Sequence, residues 1–358
     1  MIELKEMLKS MISLPGLSGY EKPIRELITT SWEPLVDEIS TSRLGSLHAL
    51  RRGNGALPRP AILLAAHMDA IGLMVTSITD GLLRFTGIGG IDPRILPGQL
   101  VTIHGRNDMP GVIVQPPDYL LPSSQHRKSI AMEYLFVDTG LMADQVKQLV
   151  RVGDLISFRQ EPMELKGNTL AGHSLDNRAS VAAVTQCLLE LSHLQHAWDV
   201  WAVATVQEEV TLAGSITSPY EIKPQIAVAI DVTFAKGPGA NDWRTLSLAK
   251  GPCLGWGPNI HPYIYKRFAE TAEKLDIPFQ KELMPRHSGT DAYGMQVVGA
   301  GIPTIVISIP LRYMHTPVEL IAMKDIERTG RLLAETIARL EPDFLDKINW
   351  DEVEDEEK

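Results

Sequence analysis

Residues 61–70 read AILLAAHMDA. Six apolar residues in succession fit a strand buried on both faces, because a strand with one wet face alternates apolar and polar positions. The run then meets His67 and Asp69, groups that are expensive to desolvate without partners. Four other segments repeat the pattern: GHSLDNRASVAAV (172–184) carries Asp176, WAVATVQEEV (201–210) carries Glu208 and Glu209, IAVAIDVT (226–233) carries Asp231, and TIVISIPLRYMHTP (304–317) carries His315. Around these runs the spacing predicts a helix over 176–194, strands over 198–206 and 226–232, a helix over 262–276, a strand over 303–309 and a helix over 324–340. Alternation of this kind predicts an α/β fold, a doubly wound and mostly parallel sheet with helices on both faces.

Before that core, Leu4, Met7, Leu8, Met11 and Ile12 keep one apolar stripe at helical spacing, and a second helix is expected over roughly 21–32. Between about 70 and 166 the texture changes. Short β-like runs (LLRFTGI, QLVTIHG, GVIV, YLFVD, DLISF) are divided by Gly, Pro and Asp turns, and LMADQVKQLV alone has helical character. Many short strands with turn signals predict a small β-rich sandwich or barrel, inserted into the main domain. The expected organisation is therefore a discontinuous α/β domain of 1–69 and 167–345, an insert of 70–166, and an acidic tail of 346–358 ending DEVEDEEK.

The 358 residues carry a formal net charge of −10, which argues against a nucleic-acid surface. Two cysteines, Cys187 and Cys253, form neither a CxxC nor a disulfide framework, which suits a reducing compartment. The N-terminus has acids and no uninterrupted apolar stretch, and no run approaches the ~20 residues that span a bilayer. A cytoplasmic protein without membrane partners is expected.

Ligands of open α/β sheets bind beyond the carboxyl ends of the strands. His67, Glu208, Glu209 and Asp231 follow or end expected strands, His315 lies in the loop after another, and Asp176 opens a helix, where an anion is favoured. Two imidazoles and several carboxylates without thiolates suit zinc, cobalt or manganese. If Asp176, Glu209 and Asp231 are ligands, their three charges and one hydroxide balance two divalent cations, so the cluster can be buried. The two-residue spacing of His67 and Asp69 puts them on one strand face, where Asp69 can accept the imidazole's second N–H. Of the neighbours Glu208 and Glu209, one can bind metal while the other acts as general base. Singly, each residue has a plainer reading: a hydrogen-bonded histidine, a helix cap, a solvated acidic pair. Together those readings need several independent coincidences. The other histidines (48, 104, 126, 173, 193, 196, 261, 287) are expected to be structural, and the glycine groups GIGG (87–90) and GPCLGWGP (251–258) to be turns.

HMDAIGLMV, DNRASVAAV, QEEVTLAGS, AIDVT, SGTDA and SIPLRYMHTPVE, in this order, resemble the co-catalytic metallo-aminopeptidases, the family of glutamyl, deblocking and tetrahedral aminopeptidases. The likeness runs from LPGLSGYE near the N-terminus to the last long helix. It implies two divalent ions per subunit, zinc first with cobalt or manganese as alternatives. His67 and Asp231 would hold one ion, Glu209 and His315 the other, and Asp176 would bridge them. Glu208 would be the general base and Asp69 would orient His67. The resemblance further implies peptide substrates, a β-rich dimerisation insert, and homo-oligomers in which dimers build a tetrahedral dodecamer. The chain departs from the family pattern at Ala70, where Glu is usual, at Thr211, where Gly is usual, and at PPDYLL (116–121), which replaces a histidine-containing loop. All seven ligand, base and orienting positions are nevertheless filled. Rival readings are a deacylase or carboxypeptidase using the same metals, a non-catalytic scaffold, and an endoglucanase-type glycoside hydrolase. The last needs two carboxyl groups and no metal, and leaves the histidines unexplained.

Overall fold

In the computed structural model, which describes residues 3–123, 129–341, 343–348 and 350, the run at 61–67 is a strand whose residues are buried from Ile62 to His67. It is preceded by an antiparallel hairpin of β1 (Glu38–Thr41) and β2 (Leu47–Arg51), so it becomes β3 (Ala61–His67). The next six strands are β4 (Gly72–Thr79), β5 (Leu82–Ile88), β6 (Leu100–His104), β7 (Asp108–Val114), β8 (Phe136–Asp138) and β9 (Leu155–Phe158). They close into a barrel in the order β4-β5-β8-β7-β6-β9, every pair antiparallel. Closure leaves no unpaired edge, and the barrel has its own core of Leu73, Val75, Ile103, Ile113, Val137 and Ile156 among others.

The remaining strands return to the large sheet: β10 (Met163–Leu165), β11 (Thr169–Gly172), β12 (Asp199–Thr205), β13 (Ile226–Phe234), β14 (Cys253–Trp256), β15 (Gln280–Leu283), β16 (Thr304–Arg312) and β17 (Glu319–Ala322). The order is β1-β2-β12-β3-β13-β16-β17-β11-β10, with β14 joined to β16 and β15 to β14. The four central strands β12, β3, β13 and β16 are parallel. Antiparallel strands flank them on both sides, so the sheet as a whole is mixed. The last strand of the span 70–166, β10, pairs with β11 in this sheet and lies outside the barrel. The short flanking strands β1, β2, β10, β11, β14, β15 and β17 give too few residues for a periodic signal, and the sequence reading passes over them.

Helices α1 (Leu4–Ile12), α2 (Lys22–Trp32), α4 (Leu175–Leu191), α7 (Pro262–Lys274) and α9 (Met323–Ala338) cover one face of the sheet. The other face carries α6 (Ala213–Ile222) and α8 (Asp291–Gln296); α3 (Ala143–Leu149) belongs to the barrel region, and α5 (Glu208–Thr211) is a single turn after β12. With layers on both sides, the central strands are apolar almost throughout, as AILLAAH implies. Among the described residues, no helix is long and apolar enough to cross a membrane. His126 and residues 349 and 351–358 of the acidic tail lie outside the described residues.

Trp32 pins α2 to α4. It is fully buried, and its indole N–H donates to Thr185 Oγ1 at 2.8 Å. Trp32→Ala removes both the hydrogen bond and a large apolar side chain, so a loss of about 3–5 kcal/mol is expected. Equilibrium denaturant unfolding, read as a fall in the midpoint, checks it.

Candidate metal centre

Five chain segments deliver the charged residues to one point beyond the carboxyl ends of the parallel strands. His67 is the last residue of β3, and Asp231 lies in β13 beside it. Glu208 and Glu209 open α5, immediately after β12. His315 follows β16. Asp176 is placed by the start of α4, where it and Asn177 are not helical (Asp176 φ −76°, ψ 102°), so the regular helix begins behind them. Asn177 Nδ2 donates to the carbonyl of Ile230 at 2.9 Å, which ties this turn to the residue preceding Asp231.

The geometry divides into two halves around Asp176. Its Oδ1 lies 3.3 Å from His67 Nε2, and its Oδ2 lies 3.3 Å from His315 Nε2. Asp231 Oδ1 is 3.9 Å from His67 Nε2, and Glu209 Oε2 is 3.4 Å from His315 Nε2. Glu208 Oε2 is 3.7 Å from His67 Nε2. Donor atoms of His67, Asp176 and Glu209 all fall within 4.8 Å of one another. Ligands bound at about 2.0–2.1 Å in a tetrahedron stand about 3.3–3.4 Å apart, so these spacings fit donors arranged around metal ions.

The electrostatics point the same way. Burial would raise Asp176, but hydrogen bonds from His315 and His67 hold its carboxyl well below the usual range. Burial and neighbouring acids push Asp231 well up, Glu208 up to about 10 and Glu209 up to about 7. For His67, desolvation works against the charged form, yet Glu208, Asp176, Asp69 and Asp231 outweigh it and raise the imidazole. The hydrogen bond to Asp176 raises His315 to about 9. Five buried or nearly buried carboxylates around two imidazoles need more positive charge than the side chains supply, and cations would provide it.

Several residues hold this cluster without belonging to it. Asp69 is not on the strand, which stops at His67; its Oδ1 lies 3.5 Å from His67 Nδ1. The same carboxylate accepts the backbone N–H of Glu208 at 3.0 Å and of Glu209 at 3.2 Å, and the Ser18 hydroxyl at 2.5 Å. Asp69 therefore addresses an imidazole and the N-terminus of the turn that carries both glutamates. Glu319, fully buried, accepts the N–H groups of Asp176 at 3.1 Å and His315 at 2.9 Å. The sequence reading assigns no role to Glu319, and its one signal is the position four residues after His315 in HTPVE. Gln207 (φ 59°) and His315 (φ 61°) adopt left-handed backbone without being glycine, strain of about 1–3 kcal/mol each that tends to collect at functional sites.

The glycines of GIGG, expected to be only a turn, also touch the centre. A Cβ on Gly90 would lie 3.0 Å from His315 Nδ1, and one on Gly89 would lie 3.4 Å from Glu209 Oε2. The residues departing from the family pattern have local tasks: Ala70 donates its N–H to Gly16 O at 2.9 Å, and Thr211 Oγ1 donates to Gln207 O at 3.2 Å. Of the histidines expected to be structural, His48 bonds Ser218, His104 bonds Asp108 and Ser157, and His196 bonds the Trp198 carbonyl. His173 packs on Phe158, with burial holding it down to about 3. His287 lines the cleft instead.

The centre opens into a cleft of about 790 Å³, lined by His67, Asp176, Glu208, Glu209, Asp231 and His315 and by the strand ends beyond them. That volume admits several amino-acid residues of a peptide.

Comparison with known proteins shows the family of this chain. The family model of M42 glutamyl aminopeptidase matches residues 45–332. The chain is similar to a lysyl aminopeptidase of Pyrococcus furiosus, 35% identical over 94% of this chain and 97% of that protein. Its fold is similar to that of a TET aminopeptidase from a marine sediment archaeon of the Thaumarchaeota, with a TM-score of 0.91 at 29% identity, covering 97% of this chain and 99% of the other. It is also similar to the TET1 peptidase of Pyrococcus horikoshii, which assembles into a tetrahedron or a large octahedral shell (TM-score 0.82, 31% identity, 94% and 100% covered). An ordered set of acids and imidazoles at parallel strand ends, and a family model matched from 45 to 332, lead to one statement: this chain belongs to the M42 glutamyl aminopeptidase family and is an aminopeptidase.

Proposed function

We propose that the protein removes the N-terminal residue of peptides with two divalent ions, held by His67, Asp176 and Asp231 on one side and by His315, Asp176 and Glu209 on the other. The observation that carries this reading is Asp176, whose two oxygens each lie 3.3 Å from a different imidazole. Imidazole and carboxylate donors favour zinc, with cobalt or manganese as alternatives. Such ions, when bound, supply Lewis acidity toward the scissile carbonyl and a more acidic water.

Glu208 is the carboxylate left over by this division, and it lines the cleft. It takes the proton of the attacking water and returns it to the leaving amine. Asp69 is a positioning residue. Its hydrogen bonds to the N–H groups of Glu208 and Glu209 fix the base and a ligand together, and its place beside Nδ1 of His67 leaves Nε2 facing Asp176.

The same reading extends to assembly. A homo-oligomer, with segment 70–166 as the dimerising unit, the α/β part of 1–69 and 167–345 as the catalytic one, and dimers building a tetrahedral dodecamer, is supported by the assembly of the similar P. horikoshii TET1 peptidase. The large exposed side chains of Leu100, Tyr119 and Leu120 in that segment support it too.

Two substitutions test the division of labour. Glu208→Gln keeps the shape of the side chain and the ion-binding residues, so kcat on aminoacyl chromogenic substrates falls by ~10²–10⁴ while the metal content stays unchanged. A rate near wild type removes Glu208 from the role of base. Asp69→Asn replaces an acceptor by an amide facing two backbone donors, and ion affinity, measured by competition with a chromogenic chelator, is expected to weaken by about 10–100-fold.

A further inference from the structure

A second group of reactive side chains lies away from the metal centre, at the seam between the barrel and the α/β part. Strand β6 pairs there with β7 on one side and β9 on the other. Val101, Ile103, Ile156 and Phe158 belong to the barrel core, so the alternating residues Thr102, His104 and Ser157 point outward. His104 is the register partner of Leu155, which puts Ser157 on its diagonal, within reach of a long side chain. Asp108 stands opposite His104 on the β6–β7 hairpin. The imidazole joins the two: Nδ1 lies 2.9 Å from Asp108 Oδ1, and Nε2 lies 2.8 Å from Ser157 Oγ.

This is the connectivity of a serine nucleophile, its base and the carboxylate that orients the base. Asp108 accepting from Nδ1–H fixes the tautomer, and Nε2 is then free to accept the hydroxyl proton of Ser157. The backbone ladder already joins these strands, so strand pairing does not require the three side chains. All three line a cavity of about 210 Å³, walled on its far side by residues 12–17 after α1 and by His173 and Ser174 before α4. Ser157 is set back in it, while Asp108, Arg159 and Glu161 are exposed at its rim. Among the described residues, none lines both this cavity and the metal cleft. Arg159 continues the pairing of β9 by donating its N–H to Leu100 O at 2.9 Å, so it shares the outward face with Ser157.

We propose that Ser157, His104 and Asp108 form a second hydrolytic site, independent of the ions, that cleaves short-chain acyl esters. Ser157 Oγ attacks the acyl carbonyl carbon while its proton passes to His104 Nε2. That proton then goes to the leaving oxygen as the ester C–O bond breaks, which frees the alcohol or phenol and leaves an acyl-serine. A water gives its proton to the same nitrogen and adds to the acyl carbon. The bond to Oγ breaks, Oγ recovers the proton, and the carboxylic acid leaves. Arg159 supplies positive charge for the oxyanion of each tetrahedral intermediate. The small cavity suits an acyl group of a few carbons, whereas a peptide needs the larger metal cleft.

Two probes test this on the zinc-loaded protein: a fluorophosphonate, which traps activated serines, and p-nitrophenyl acetate. The fluorophosphonate is expected to label wild type at Ser157, located by peptide mass spectrometry. Ester hydrolysis persists in Glu208→Gln, which disables the metal centre, and is abolished by Ser157→Ala. His104→Gln lowers it by ~10²–10⁴. Asp108→Asn lowers it less, because an exposed carboxylate acts through screening water. Leu-p-nitroanilide hydrolysis stays at the wild-type level in Ser157→Ala and His104→Gln, which shows that the fold and the metal centre are intact. Absence of an adduct on Ser157 overturns the proposal, and since that measurement uses wild type, it decides even where a variant misfolds. Ester hydrolysis that survives Ser157→Ala, or that disappears in Glu208→Gln, overturns it equally.

Discussion

Removing carboxylates from water is the constraint around which this molecule is arranged. Asp176, Glu209 and Asp231 crowd within a few ångströms of His67 and His315 at the end of an otherwise apolar sheet. Left to themselves, buried acids rise in pKa and lose their charge, as Asp231, Glu208 and Glu209 do. Divalent cations reverse that tendency, so ion binding and a properly charged site are one event. The parallel strands β3, β13 and β16 bring His67, Asp231 and His315 to a common edge without any of them leaving its own segment. Position along the strand, more than side-chain reach, makes them converge.

Around that edge a ring of polar residues converts approximate convergence into fixed geometry. Asp69 links β3 to the turn bearing Glu208 and Glu209, and Glu319 links the Asp176 turn to the His315 loop. Both act on backbone N–H groups, which cannot rotate away as side chains can. The barrel also takes part. Gly89 and Gly90 follow β5 and pass so close to Glu209 and His315 that a methyl group at Gly90 would crowd the imidazole. The barrel segment is therefore part of the site's wall as well as a closed sheet with its own core.

Much of this was legible in the chain itself. AILLAAH, WAVATV, IAVAI and TIVISI have the continuous apolar character that burial on two faces demands, and helices such as 323–338 show their stripe. The charged residues stood out because they interrupted those runs. Asp69 was legible as a partner of His67, but its hold on α5 depends on β3 stopping at His67, a boundary that composition does not mark. Glu319 looked like any acid after a loop, since its role is to accept two N–H groups from segments over 100 and 4 residues away. Gly90 was indistinguishable from a turn glycine because its close approach to His315 is a tertiary contact.

The central claim, that Asp176 joins two ion sites, is tested most directly by anomalous scattering from crystals of the zinc-loaded protein, measured above and below the zinc edge. Two peaks per chain are expected, one in contact with His67, Asp176 and Asp231 and the other with His315, Asp176 and Glu209. A single peak, or peaks that leave either oxygen of Asp176 without a metal neighbour, would contradict the account.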